Sequence, residues 1–443
     1  MNVKQIFKFL IAIGISSLIL LVEFETLSKG GQYTLFIFIL AAILWTTEIV
    51  PLYMTSFVVL FLESILLPGI VPGLSKPTVF FSQFFSPVIV LFLGGFAIAK
   101  GLGKFRLDAI LACNTLRIVK GKPKTLMFAF MVLAAFLSMW MSNTATTALM
   151  ITMVMPVLKS VEDKKYQIAV AIAIAFSANI GGMATPVGTP PNAIAIGMLA
   201  DKGVSISFYE WMKIAFPITA IMLLVTFAVL LLLFRFKIHN IEESPKLNIS
   251  CIKFGLNEKI VVSITLLTIV LWFISEFIGL NAGIIALIPL ICFYGTNILD
   301  KDDFRTLDWD VLMLMGGGMA LSEAMKISGL AEWMVTTSGV AHFNDTYILL
   351  GFMILTFVLT NFMSNTTTAA LMLPLALSVI KDPLIAGYTV ALTASMSMLL
   401  PISTPPNAIA YNSGFFSVKT MLFAGTIIGM IGMAIIFNYL LMM

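Results

Sequence analysis

The sequence predicts an all-α polytopic membrane protein of about 11 transmembrane helices, arranged as two inverted repeats that each carry a re-entrant hairpin and a broken helix. Three observations predict it. Of the 443 residues, 60% are hydrophobic and 11% charged, and the mean hydropathy is +1.04, with apolar runs of bilayer-crossing length from one end to the other. The triplet Ser142-Asn143-Thr144 returns 222 positions later as Ser364-Asn365-Thr366, and Thr189-Pro190-Pro191-Asn192 returns 215 positions later as Thr404-Pro405-Pro406-Asn407. Finally, the basic residues gather in alternate loops, which sets an orientation.

The spans are read near 7–24, 33–54, 55–71, 87–102, 167–199, 213–236, 259–277, 280–299, 308–325, 386–412 and 418–441, because a helix satisfies its own backbone hydrogen bonds in hydrocarbon. The opening stretch with Lys4 and Lys8 has a signal-like look. However, no small-residue cleavage site follows it and Glu23 and Glu25 come next, so it is read as a retained first helix. Cys113, Cys251 and Cys292 have no paired spacing, so neither a disulfide framework nor a metal ribbon is expected. The net charge of +4 is a topology signal and not one for nucleic acid, since the basic residues sit in short loops at span ends.

With the N-terminus in the cytoplasm and the C-terminus outside, 20 of the 26 Lys and Arg residues fall inside. Two apolar segments stand outside this alternation, and they carry the triplets. Segment 125–158 is flanked by Lys120, Lys122 and Lys124 and by Lys159, Lys164 and Lys165, so both its ends are cytoplasmic and it enters and turns back. Segment 346–380, between Asp345 and Lys381, has both ends outside. Each hairpin then has its polar triplet at the tip, where irregular backbone needs protein or a water-filled cavity around it.

The repeat extends past the triplets. Leu44-Trp45 with Glu48 matches Leu271-Trp272 with Glu276, and Leu93-Gly94-Gly95 matches Met315-Gly316-Gly317. Five spans and a hairpin repeat once, and an odd number inverts the second copy. The expected organisation is a first helix and loop (1–32), repeat 1 (33–236), a polar cytoplasmic linker (237–258) and repeat 2 (259–443).

Matched polar breaks in an apolar chain point to one small-ligand site shared by two repeats. In the first half Ser138, Ser142 and Asn143 climb to the tip and Gly188 precedes Thr189. In the second, Thr360, Ser364 and Asn365 keep the spacing and Ser403 precedes Thr404. All are neutral oxygen donors, which suit a hard cation such as Na⁺. The proline pairs donate no hydrogen bonds and so release carbonyls one turn before them. A single Ser-Asn-Thr triplet would more simply be read as glue between membrane helices, but two copies, each with a matching Thr-Pro-Pro-Asn break, favour a ligand. Trp45, Trp272 and the many methionines are read as packing. Glu48, Glu63, Glu276 and Glu323 are acidic groups within or near spans, where charge is costly and often functional.

Absences narrow the chemistry. The two histidines, His239 and His342, fall in polar loops, no Ser-His or Cys-His set lies in a span, and no phosphate loop with lysine occurs, so an enzyme is not expected. A midplane without Arg or Lys implies that an anionic substrate relies on bound cations and helix ends to offset its charge.

These residues resemble the divalent anion/sodium symporter family, the di- and tricarboxylate and sulfate carriers, over nearly the whole chain. The resemblance rests on the two Ser-Asn-Thr tips, Gly-Thr-Pro-Pro-Asn at 188–192 and Pro-Ile-Ser-Thr-Pro-Pro-Asn-Ala-Ile at 401–409. It implies one Na⁺ held by Ser138, Ser142, Asn143 and Gly188. A second would be held by Thr360, the Met363 carbonyl, Asn365 and Ser403, the last often alanine in the family. It further implies substrate carboxylates at Ser142, Asn143, Thr144, Thr189, Ser364, Asn365, Thr366 and Thr404, and a homodimer working as an elevator. The expected function is Na⁺-coupled import of a C4-dicarboxylate (succinate, malate or fumarate) across a bacterial inner membrane. The alternatives are a carrier of citrate, sulfate or another divalent oxyanion, or a Na⁺-independent dicarboxylate exchanger. A membrane-embedded enzyme or assembly subunit is the reading from a different class, and no catalytic pair supports it.

Overall fold

The computed structural model describes residues 3–107, 110, 122–237, 255–337, 339 and 343–443. Residues 238–254 of the expected linker, with His239, His342, Cys113 and Cys251, lie outside the described residues. Among the described residues there is no strand.

After α1 (Val3–Ser17), the helices fall into two matching series. The first is α2 (Lys29–Thr47), α3 (Leu52–Leu66), α4 (Thr78–Gln83), α5 (Pro87–Lys104), the hairpin α6 (Pro123–Ser138) and α7 (Asn143–Ser160), the interrupted span α8 (Lys164–Gly182) and α9 (Pro190–Asp201), and α10 (Phe208–Phe234). The second begins with α11 (Leu256–Ile274), then α12 (Ala282–Ile285) continued by α13 (Leu287–Gly295), α14 (Lys301–Arg305), α15 (Trp309–Ile327) and α16 (Leu330–Thr337). It closes with the hairpin α17 (Asp345–Thr360) and α18 (Asn365–Val379), the interrupted span α19 (Pro383–Ala394) and α20 (Pro405–Asn412), and α21 (Val418–Leu441).

Contacts between the series are reciprocal, as across a two-fold axis. Helix α3 packs on α15 while α5 packs on α12 and α13, and α10 packs on α21. In the centre α8 lies beside α20 and α9 beside α19. The first half of each interrupted span therefore neighbours the second half of the other, so the two run antiparallel, the arrangement produced when one copy is turned over. Trp45 and Trp272 share this symmetry. Both are buried, and each indole N–H donates to a carbonyl of the next segment, Leu52 O at 3.1 Å and Ala282 O at 3.0 Å.

Among the described residues, six helices are long and apolar enough to cross a membrane. The outer ones show apolar side chains, such as Phe7 and Leu10 on α1 and Leu266 and Val270 on α11, whereas nearly every residue of α8 and α9 is buried. The short, interrupted elements are thus shielded at the centre, where their free backbone groups find protein partners. Close approach there depends on glycine: a Cβ on Gly181 would stand 2.3 Å from the Ala135 carbonyl oxygen of α6.

One boundary differs from the sequence reading. The second and third spans meet at 48–51 and not at 54–55, because Glu48 turns left-handed (φ 49°) at the end of α2 and Pro51 starts α3. The apolar run Ile49 to Met54 conceals this break from a hydropathy window. The short helices α4, α14 and α16 were not foreseen either.

Candidate functional site

The two tips are built alike. Ser142 caps α7, its hydroxyl accepting the Ala145 N–H at 3.2 Å, and Ser364 caps α18 by accepting the Thr367 N–H at 3.1 Å. The asparagine and threonine of each triplet then occupy the first turn of the returning helix, where backbone N–H groups have no intrahelical acceptor. Thr189 and Thr404, in extended backbone with φ −151° and −145°, start α9 and α20, each followed by two prolines.

All four helix starts face one cavity of about 680 Å³. Ser142, Asn143, Thr144, Gly188, Thr189, Ser364, Asn365, Thr366, Ser403 and Thr404 line it, so ten of the residues singled out in the sequence converge. Ser138, Thr360 and Met363 lie behind this lining. Through Phe96, Met141, Ser142 and Asp308 the cavity continues beside Lys100, Lys104 and Asp303. Among the described residues no Lys or Arg lines the main cavity, whereas Asp308 and Asp310 do. The lysines at the mouth are taken up: Lys100 donates to the Thr306 hydroxyl at 2.9 Å. Lys104 sits on Asp303 and, at 3.1 Å, on Asp300. Helix N-termini therefore contribute positive potential to the cavity, each equivalent to roughly half a unit charge.

Behind each tip is a cradle of neutral oxygens. In the first half the Ser138 hydroxyl donates to Asn143 Oδ1 at 2.5 Å, and glycines close the other side. A Cβ on Gly182 would meet Asn143 Oδ1 at 2.5 Å and the Gly188 carbonyl oxygen at 3.1 Å, and one on Gly188 would meet the Gly182 oxygen at 2.4 Å. The Asn192 amide ties the break together through the carbonyls of Gly182 and Thr185, at 3.0 and 2.8 Å. In the second half Asn365 Oδ1 accepts from the hydroxyls of Thr360, at 3.0 Å, and Ser397, at 2.5 Å. Ser397 occupies the position of Gly182. Ser403, in the place of Gly188, has its hydroxyl engaged: it donates to the Asn361 carbonyl at 2.9 Å and accepts the Leu400 N–H at 3.2 Å. Met363 is buried, with its sulfur 3.8 Å from the Thr46 hydroxyl.

Sequence reading missed Ser397, Asn361 and Asn179. Their counterparts at the repeat offsets are Gly182, Met139 and Ala394, so the repetition that marked the triplets is silent here. The acidic candidates stay out of the main cavity lining. Glu48 and Glu276 are exposed, Glu323 pairs with Lys326 at 3.5 Å, and Glu63 is fully buried with both oxygens unpartnered.

Antiparallel interrupted helices, tip hairpins and a polar cavity where they cross define a multi-pass membrane transporter. The chain belongs to the citrate transporter family (CitMHS), whose model matches residues 40–393. It is 31% identical over 416 residues to an uncharacterized transporter of Haemophilus influenzae, covering 89% of this chain and 88% of that one. It is 30% identical over 459 residues to the sodium-dependent dicarboxylate transporter SdcS of Staphylococcus saprophyticus, covering 94% and 87%. A Schizosaccharomyces pombe uncharacterized transporter is 32% identical over 413 residues, but this chain spans only 47% of its length. Among solved structures, the fold is similar to that of Neisseria gonorrhoeae MtrF, with TM-score 0.60 and 11% identity over 90% of this chain and 96% of that one. It is also similar to the Alcanivorax borkumensis YdaH transporter, with TM-score 0.54 and 13% identity over 82% and 86%. The protein is a secondary transporter of this family, not an enzyme.

Proposed function

We propose that this chain imports C4-dicarboxylates such as succinate, malate and fumarate together with Na⁺ across a bacterial inner membrane, with its N-terminus in the cytoplasm. The observation that carries this reading is the pairing of four helix N-termini with two cradles of neutral oxygens, in a cavity that, among the described residues, no cationic side chain lines. The substrate carboxylates would meet the free N–H groups and side chains of Asn143, Thr144, Asn365 and Thr366, with Ser142, Ser364, Thr189 and Thr404 beside them. One Na⁺ would lie with Ser138, Ser142, Asn143 and the Gly188 carbonyl. The other would lie with Thr360, Asn365 and the carbonyls of Met363 and Ser403. Sodium dependence and a dicarboxylate substrate are in the name of the staphylococcal relative.

Movement would be of the elevator type, in a homodimer. Helices α6 to α9 and α17 to α20 pack chiefly on one another, within each series and across the two, which favours their moving as one body against α2, α3, α5 and α15. Citrate is the second reading, favoured by the family's description. Asp308 and Asp310 on the cavity wall weigh against a third carboxylate, since like charges raise the cost of binding it. Counterflow in proteoliposomes tests the proposal, using labelled succinate against a panel of unlabelled anions with and without Na⁺. Counterflow by succinate, malate and fumarate only with Na⁺ is expected. Counterflow by citrate or sulfate alone, or none that depends on Na⁺, would overturn it.

A further inference from the structure

Thr189 and Thr404 hold equivalent places, yet only one has its hydroxyl oriented by the protein, and the cause lies in Asn179. The polarity of this hydrogen-bond chain is fixed at its far end. Carbonyl oxygens only accept, so Asn407 must present its amide nitrogen to the Ser397 and Leu400 carbonyls, at 2.9 and 3.0 Å. That turns Asn407 Oδ1 toward Asn179, which must then offer its own nitrogen, 3.2 Å away. The same nitrogen of Asn179 reaches Thr404 Oγ1 at 3.3 Å, and the Asn407 N–H reaches that oxygen at 3.3 Å too. With two donors aimed at its lone pairs, the Thr404 hydroxyl keeps one free capacity, its proton. Thr404 and Asn179 both line the cavity. The Thr189 hydroxyl caps no helix N–H, and the counterpart of Asn179 on that side is Ala394, which has no side-chain donor.

We infer that Asn179, on α8 of the first series, is a positioning residue that makes Thr404 of the second series an obligate hydrogen-bond donor to an ionised carboxylate of the substrate. The inference rests on the dicarboxylate reading of the cavity. It adds a rule for what that wall accepts: an oxygen with a lone pair and no proton. It also makes the two ends of the site unequal, because Thr189 can rotate to donate or accept and Thr404 cannot.

The test is a double-mutant cycle in proteoliposomes. Asn179→Asp is nearly isosteric but only accepts when ionised, so it draws the Thr404 proton away from the cavity. Asn179→Ala removes the donor without adding charge. Both should raise the apparent KM for succinate by about 10- to 100-fold, the effect of a hydrogen bond to a charged group, while Na⁺ binding without substrate, followed by tryptophan fluorescence, stays near wild type. In a Thr404→Val background the effect of Asn179→Ala on KM should vanish. Additive effects of Asn179→Ala and Thr404→Val, or an unchanged KM in Asn179→Ala, would overturn the inference. Loss of Na⁺ binding in Asn179→Ala would overturn it as well, by making the residue a structural support. The wild-type control separates this from the substrate reading. If wild type takes up sulfate or citrate and no dicarboxylate, the functional proposal fails, and the same cycle read on that anion still decides the role of Asn179.

Discussion

The cradle behind the first tip is closed by glycine and the one behind the second by serine, although the two tips carry the same triplet. Where Gly182 lets the backbone reach Asn143, Ser397 puts a hydroxyl on Asn365. Where Gly188 lies against the Gly182 carbonyl, Ser403 bonds to Asn361. The surroundings differ in the same sense. Trp140 at the first tip stacks on Phe208 at 6.2 Å, and Phe208 on Trp272 at 5.0 Å, whereas Phe362, the counterpart of Trp140, is 71% exposed. Repetition has thus preserved the helix starts that face the cavity, while the residues around them have diverged.

The largest expected effect comes from making the two cradles alike. Gly182→Ser places a Cβ within 2.5 Å of Asn143 Oδ1, so uptake should fall by more than about 100-fold, since a misplaced site of this kind is costly. The reverse change, Ser397→Gly, should leave uptake measurable and weaken Na⁺ affinity by about tenfold or less, the worth of one neutral hydrogen-bonding group. Equal losses in the two variants, read from initial rates of succinate uptake, would show that the difference between the cradles has no functional weight.

Next come the triplet asparagines. An amide can offer its oxygen to a cation and its nitrogen to a carboxylate, so Asn143→Asp and Asn365→Asp should keep Na⁺ binding and lose dicarboxylate transport. Asn→Ala at either position should weaken both. Near-normal uptake by folded Asp variants would mean that the triplets only pack helices.

A smaller effect tests the aromatic contrast. Trp140→Ala should cost about 2 to 3 kcal/mol of stability through lost burial and stacking, and Phe362→Ala less than about 0.5 kcal/mol, as at an exposed position. Ser403→Ala falls between the two, at about 1 kcal/mol for the bond to Asn361. Thermal unfolding in detergent ranks all three, and a larger drop for Phe362→Ala than for Trp140→Ala would reverse the contrast.

Hydropathy made the all-helical membrane architecture legible, because long apolar runs leave few other ways to satisfy the backbone. It misplaced the second boundary, since Pro51 breaks the chain inside an apolar run. The lining residues were legible at Ser142, Asn143, Ser364 and Asn365 because those residues repeat. Asn179, Asn361 and Ser397 were not, since each is polar where its counterpart is Ala394, Met139 or Gly182 and nothing nearby in sequence marks it. Asn179 reaches Thr404 and Asn407 because α8 lies beside α20, which brings residues more than 200 positions apart into hydrogen-bonding distance, whereas Asn361 and Ser397 meet Ser403 and Asn365 within the second series.

Under the proposed coupling, cations and helix ends together supply the positive charge that the described lining of the cavity lacks. Equilibrium binding of labelled succinate to the purified protein, from zero to saturating Na⁺, tests it most directly. Succinate affinity should rise with Na⁺, and succinate should raise Na⁺ affinity by the same factor, as linkage requires. Succinate affinity that stays constant across the whole Na⁺ range would contradict it.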